Sequence, residues 1–168
     1  MPLYTFTTLD DSLGIATVAL GINDAGQVVG AYTDANRQGH GFLYSGGTFT
    51  ALDDPLGADG TTAFGINNAG QIVGDYFDAS NNLHSFFYVG GTFSILDDPL
   101  GTLGTFANGI NDAGQIVGQY RDANGKGHGF LYDPSRGVFP PTSPSTTPQA
   151  ITPLPATSTT QVRSSGST

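Results

Sequence analysis

The chain contains no cysteine, no tryptophan and no glutamate, and Lys126 is its one lysine. Without cysteine there can be no disulfide, no thiolate metal site and no thiol nucleophile. Surface helices lean on Glu, Lys, Ala and Leu, so a chain without Glu and with one Lys is poorly equipped to build them. Its 25 Gly and abundant Thr, Phe, Tyr and Val suit short strands joined by tight turns instead. Charge is also sparse, with 5 bases against 14 acids, all of them Asp, and a net charge of -9. A surface so short of bases repels phosphate backbones, which argues against a nucleic-acid partner. No apolar run approaches the ~20 residues of a membrane-spanning helix. Met1-Pro2-Leu3 leads straight into strand-like text, without a secretory signal pattern.

What the chain does have is repetition. Gly21 to Gly30 reads GINDAGQVVG, Gly65 to Gly74 reads GINNAGQIVG, and Gly109 to Gly118 reads GINDAGQIVG, a spacing of 44 residues. Each copy reads as four strands. The first is TVALGIN from Thr17, matched by TTAFGIN and TFANGIN, with Ala19, Ala63 and Ala107 as its smallest side chains. A turn opened by Asn and carrying a Gly for the left-handed position leads to the second strand, QVVGAYTD or its equivalents. One face of that strand keeps Val or Ile, Gly and Tyr. Past the valine the other face varies, with Ala31, Asp75 and Gln119 at one position and Thr33, Phe77 and Arg121 at the next, so it reads as partly exposed. The third strand is HGFLY or HSFFY, and Gly46-Gly47 and Gly90-Gly91 are two-residue hairpin signals before the fourth.

The two ends of the array differ. Tyr4 to Asp11, YTFTTLDD, repeats the text of the fourth strands GTFTALDD and GTFSILDD, so the chain begins with the last strand of a unit. In the third unit the Gly-Gly turn gives way to Asp133-Pro134-Ser135-Arg136-Gly137. Its fourth strand becomes Val138-Phe139-Pro140-Pro141, where two prolines remove ladder donors. Residues 139–168 are rich in Pro, Ser and Thr with Arg163 the sole charge, the composition of a disordered tail or an extended stalk, O-glycosylated if exported.

The fold class these observations predict is all-β, a β-propeller-like array of three four-stranded blades of 44 residues, with a β-solenoid as the competing arrangement. The array occupies residues 1–138, with units at 17–54, 61–98 and 105–138 and a spare outer strand at 4–11. Three blades do not readily close a ring. The spare strand is therefore expected to complete the last blade of a second subunit, giving a two-fold six-bladed ring or, where the contact does not close, a filament. The assembly residues on this reading are Tyr4, Phe6 and Leu9 on the donor and Phe130 and Tyr132 on the acceptor.

The recurring GINNAGQIVG, the His-x-Phe-x-Tyr strand, the Gly-Gly turn and a hydrophobic strand ending near Leu-Asp resemble the HAF-repeat family of extracellular repeat proteins. The resemblance spans roughly Leu3 to Tyr132. At the family's His-Ala-Phe stand His40-Gly41-Phe42, His84-Ser85-Phe86 and His128-Gly129-Phe130. It implies an exported protein without an assigned reaction. Pro153-Leu154-Pro155-Ala156-Thr157 is similar to the start of the sorting anchor that relatives carry, although a hydrophobic helix and a terminal basic cluster do not follow it.

Candidate chemistry is confined to His and Asp. The three histidines fall one per unit and are expected to make structural hydrogen bonds at strand ends, since symmetric blades hold them apart. With the first strand innermost, Asp34, Asp78 and Asp122 share one end of the array with Asp10, Asp11, Asp53, Asp54, Asp97 and Asp98. Asp34, Asp78, Asp122 and Asn124 are the candidate Ca²⁺ ligands, with turn formation as the competing assignment. The irregular residues Asp59, Asp75, Phe77, Arg121 and Asp133 form no triad or dyad, so no enzyme activity and no cofactor are expected. Two functions remain: a structural, self-assembling protein whose partner is itself, and a lectin-like or Ca²⁺-dependent adhesion module that holds a glycan on the Asp-rich loops. Those loops contain no aromatic residue for a sugar to stack on, which favours the structural reading.

Overall fold

The computed structural model describes residues 5–10 and 14–136. Apart from one short 3-10 turn at Pro134–Arg136, its regular structure is all β. Strands β1 (Gly14–Ile22), β2 (Val28–Asp34), β3 (Gly39–Ser45) and β4 (Thr48–Leu52) form a first antiparallel sheet in the order β1-β2-β3-β4. β5 (Thr61–Ile66), β6 (Ile72–Phe77), β7 (Leu83–Val89) and β8 (Thr92–Ile95) form a second in the same order. β9 (Thr105–Ile110), β10 (Ile116–Arg121) and β11 (Gly127–Tyr132) form a third, which has three strands among the described residues.

Turn chemistry sets these ladders. Asn67 opens its hairpin by accepting the N–H groups of Ala69 and Gln71 on Oδ1 at 3.1 and 3.0 Å, and Gly70 takes the left-handed conformation at φ 73°. Asn23 and Asn111 likewise accept the N–H groups of Gln27 and Gln115. At the next hairpin both glycines are left-handed, which matches the twist of the flanking strands.

Each first strand carries a feature that alternation does not reveal. The register of β5 on β6 runs Ala63↔Gly74 and then Gly65↔Val73, so Phe64 bulges out of the ladder, and β1 and β9 do the same. The bulge returns Ala63 and Ile66, three residues apart, to one face, where both enter the same core cluster. A second constraint lies opposite. A Cβ on Gly74 would stand 2.0 Å from the Thr62 carbonyl oxygen and 2.6 Å from the Phe86 ring, so only glycine fits there.

The sheets stack in chain order. β5 lies against β1, β2 and β3, and β9 against β5, β6 and β7. Val29, Leu52, Ala63, Ile66, Ile72, Tyr76 and Phe86 form the core between the first two sheets. Val73, Phe87, Leu96, Ala107, Ile116 and Tyr132 form the core between the second and third. Because the middle sheet is covered on both sides, Asp75 is buried, unlike Gln119 at the equivalent position, and the expectation of a partly exposed second face fails there.

The strand expected over Tyr4 to Asp11 is not formed in the described part, since residues 5–10 pair with no ladder. A single strand without an edge to join leaves its N–H and C=O groups to water. Leu9 is nevertheless half-buried against Val28, Tyr32 and Phe42 on the outer face of the first sheet. Tyr4, the proline-containing Val138–Pro141 and the tail lie outside the described residues.

Candidate functional site

Three polar systems stand out, and the first is a ladder along the stacked turns. Asn23 Nδ2 donates to Gln27 Oε1 at 2.8 Å and to the Asn67 carbonyl at 3.1 Å. Asn67 Nδ2 repeats the pattern with Gln71 Oε1 at 2.6 Å and the Asn111 carbonyl at 3.0 Å. Beside it, the Asp24 N–H donates to Asn68 Oδ1 and the Asn68 N–H to Asp112 Oδ1, while Asn68 Nδ2 donates to both Asp24 and Asp112. These bonds link residues 44 apart, so GINDAGQ joins consecutive units as well as turning each hairpin. The Asn23–Asn67–Asn111 series has a direction, with Asn23 donating to the Asn67 carbonyl and Asn67 to the Asn111 carbonyl.

The second system is the Asp-rich rim at the opposite end of the strands. His40 lies between Asp53, 3.0 Å from Nδ1, and Asp34, 3.8 Å from Nε2, and its ring stacks on Tyr32. His84 lies between Asp97, 2.6 Å from Nδ1, and Asp78, 3.4 Å from Nε2, stacked on Tyr76. His128 stacks on Tyr120 and meets Asp122, 3.2 Å from Nε2. Burial lowers the His84 pKa, but hydrogen bonds and charge from Asp97 and Asp78 outweigh it and leave it above the ordinary value.

The candidate Ca²⁺ ligands are each engaged within their own loop. Asp34 Oδ1 accepts the N–H groups of Asn36 and Gln38, Asp78 Oδ1 those of Ser80 and Asn82, and Asp122 Oδ1 those of Asn124 and Lys126. The side chain and backbone of Asn82 hold Asp78 down at about 2, and the backbone bond from Lys126, then His128, lowers Asp122. Among the described residues no group of three or more His, Asp, Glu or Cys is arranged to hold a metal ion. The rim gathers Asp34 with Asp53 and Asp78 with Asp97 around histidines; it does not gather Asp34, Asp78 and Asp122 with one another.

The third system is Asp75, which alternation in the sequence does not single out as buried. It is 8 % exposed, and burial alone raises its pKa to about 7. Asp75, with Val18, Thr33, Asp59 and Thr62, also lines an open groove of about 280 Å³ that borders the first and second sheets.

The assembly residues fall at the two ends of the stack. Phe6 is 93 % exposed and Leu9 rests on the first sheet, while Phe130 packs against the core of the last interface and Tyr132 is buried in it. Both outermost faces keep exposed apolar side chains. Ile22 is 68 % exposed where its counterpart Ile66 is 6 %, and Val117 is 51 % exposed where Val73 is fully buried. No helix among the described residues is long and apolar enough to cross a membrane. Compared with known proteins, the chain matches no family model and no curated protein.

Proposed function

We propose that this protein is a non-enzymatic, extracellular structural protein of the HAF-repeat type, which self-assembles head to tail into a propeller-like closed ring or a filament. The observation that carries the reading is the mismatch of the two ends. The third sheet has three strands among the described residues where the others have four, and Leu9, from the text of a fourth strand, rests on the first sheet. Leu52 and Leu96, the ends of the first and second units, occupy the corresponding place on the next sheet in line. The N-terminal strand of one subunit, docked along β11 of another, continues the array by one step.

Two further features support this reading. The outermost faces expose Ile22 at one end and Val117 and Leu131 at the other, the side chains that the internal interfaces bury at Ile66, Val73 and Phe87. The asparagine ladder starts at Asn23 and ends at Asn111, so its two ends are complementary, which is the property of a heterologous contact.

Light scattering of the full chain and of a variant lacking Met1 to Asp11 tests this. The full chain is expected to run as a dimer or larger species and the variant as a monomer. A full chain that stays monomeric at every attainable concentration overturns the proposal. Electron microscopy then separates rings from filaments.

A further inference from the structure

Each histidine of the rim is held between two aspartates, except the last. Asp53 follows Leu52 at the end of the first unit and meets Nδ1 of His40; Asp97 follows Leu96 and meets Nδ1 of His84. His128 has Asp122 on its Nε2 side and, among the described residues, no carboxylate on Nδ1. Residues 134–168, including the stretch where the third unit's own fourth strand is read, contain neither Asp nor Glu. One residue in the chain stands in the matching position of the repeated text: Asp10, which follows Leu9 as Asp53 follows Leu52.

Asp10 is exposed, while the adjacent Leu9 is anchored on the outer face of the first sheet. The second sheet stands between that face and the sheet that holds His128, so Asp10 does not reach His128 of its own chain. We infer that Asp10 of one copy pairs with Nδ1 of His128 in the next, completing the third Asp-His-Asp bridge and fixing the register of the donated strand. The inference rests on the strand-donation reading above and names the polar contact that selects the partner, a second copy of this chain.

The pairing fixes register because the strand text around it is permissive. Thr5, Phe6, Thr7 and Thr8 alternate in a way that several registers on β11 would satisfy, and a one-residue slip reverses every side chain. A carboxylate that must meet an imidazole at one depth allows one register. Phe6 then falls at the position of Phe49 and Phe93, whose rings sit 5.1 and 5.2 Å from Phe42 and Phe86, and so faces Phe130. Phe139, in the text of the third unit's own fourth strand, carries the same ring type, so Phe6 alone does not define the partner, whereas residues 134–168 contain no Asp or Glu to match Asp10.

The test is sedimentation equilibrium of the full chain as wild type, Asp10→Asn, His128→Gln, the double variant, and an equimolar mixture of the two single variants. Each single variant is expected to weaken self-association about 5- to 10-fold, as for a partly exposed charged hydrogen bond, with the double variant little weaker than either. The mixture should associate more tightly than either single variant alone, because Asp10 of the His128→Gln copy can meet His128 of the Asp10→Asn copy: an open pair recovers wild-type strength, and a closed ring recovers one of its two contacts. Asp10→Asn changes an exposed side chain, and urea unfolding of that variant should match wild type. If Asp10→Asn associates as tightly as wild type, the pairing is overturned and strand donation stands. If the wild type does not associate at all, the pairing and the reading beneath it fall together.

Discussion

Asp75→Asn removes a charge from between two sheets and is expected to stabilise the protein at neutral and higher pH. The carboxyl titrates at about 7 in the folded chain against 3.8 ordinarily, and burial is the cause. A raised acid binds its proton more tightly in the native than in the unfolded state, so the stability it allows is full below pH 3.8 and is lost as pH rises to about 7. A gap of about 3 pH units at 1.36 kcal/mol each makes the ionised group cost about 4 kcal/mol at pH 8. Asn keeps the shape and cannot ionise, but its amide also needs partners, and an unsatisfied one costs about 1–3 kcal/mol. The net gain expected at pH 8 is therefore about 1–3 kcal/mol, and at pH 4 the gain should vanish or reverse. Urea unfolding followed by far-ultraviolet circular dichroism at both pH values reads this directly. His84 and Asp54, whose pKa values are also raised, bend the wild-type profile in the same direction. They are present in both proteins, so they cancel in the difference. An equal effect of the substitution at pH 4 and pH 8 would refute the reasoning.

Three other substitutions probe the array. Asn67→Ala removes a side chain that donates to Gln71 and to the next unit and accepts two N–H groups, and should cost about 2–4 kcal/mol in urea unfolding. Asn111→Ala, at the end of the ladder where no later unit accepts, should cost about half as much; equal costs would mean that the bonds between units contribute nothing. Gly74→Ala places a methyl group against the Thr62 carbonyl and the Phe86 ring and should lower the thermal midpoint well beyond an alanine at exposed Gly127, where a Cβ meets nothing.

The hairpins were legible because turn chemistry is local. Asn-x-x-Gly and Gly-Gly each specify a backbone conformation that neighbours do not alter, and the first three strands of each unit fall where alternation puts them. What alternation could not show was anything set by one unit lying on another. The bulge at Phe64 preserves an inward Ala and Ile by skipping a residue, and the same text reads equally well as an unbroken strand. Asp75 looks like its equivalents Ala31 and Gln119 until a third sheet covers it. The spare strand was read from its text alone, but a strand also needs an edge, and the text cannot supply one. The histidines were legible as strand-end hydrogen-bonders; their two-carboxylate setting was not, because Asp53 and Asp97 come from the other end of each unit.

On the proposed reading, the repeated decapeptide serves the architecture and the outermost sheets serve assembly. Inside the array, groups of one unit are answered by its neighbour: Ile66 by Val29, Asn23 by Asn67, Asp24 by Asn68. The outward faces of the first and third sheets have no further sheet to answer them among the described residues. There Ile22, Val117 and Leu131 are exposed, and an exposed apolar face is disfavoured unless something covers it. A cap would normally replace those side chains with polar ones. Ile22, Val117 and Leu131 have not been replaced, and the residues before β1 still carry the Leu-Asp-Asp that closes a unit. On the proposed reading both facts have one cause: the ends are held as interfaces, and residues 5–8 pair as a strand only when a second copy provides the edge they lack.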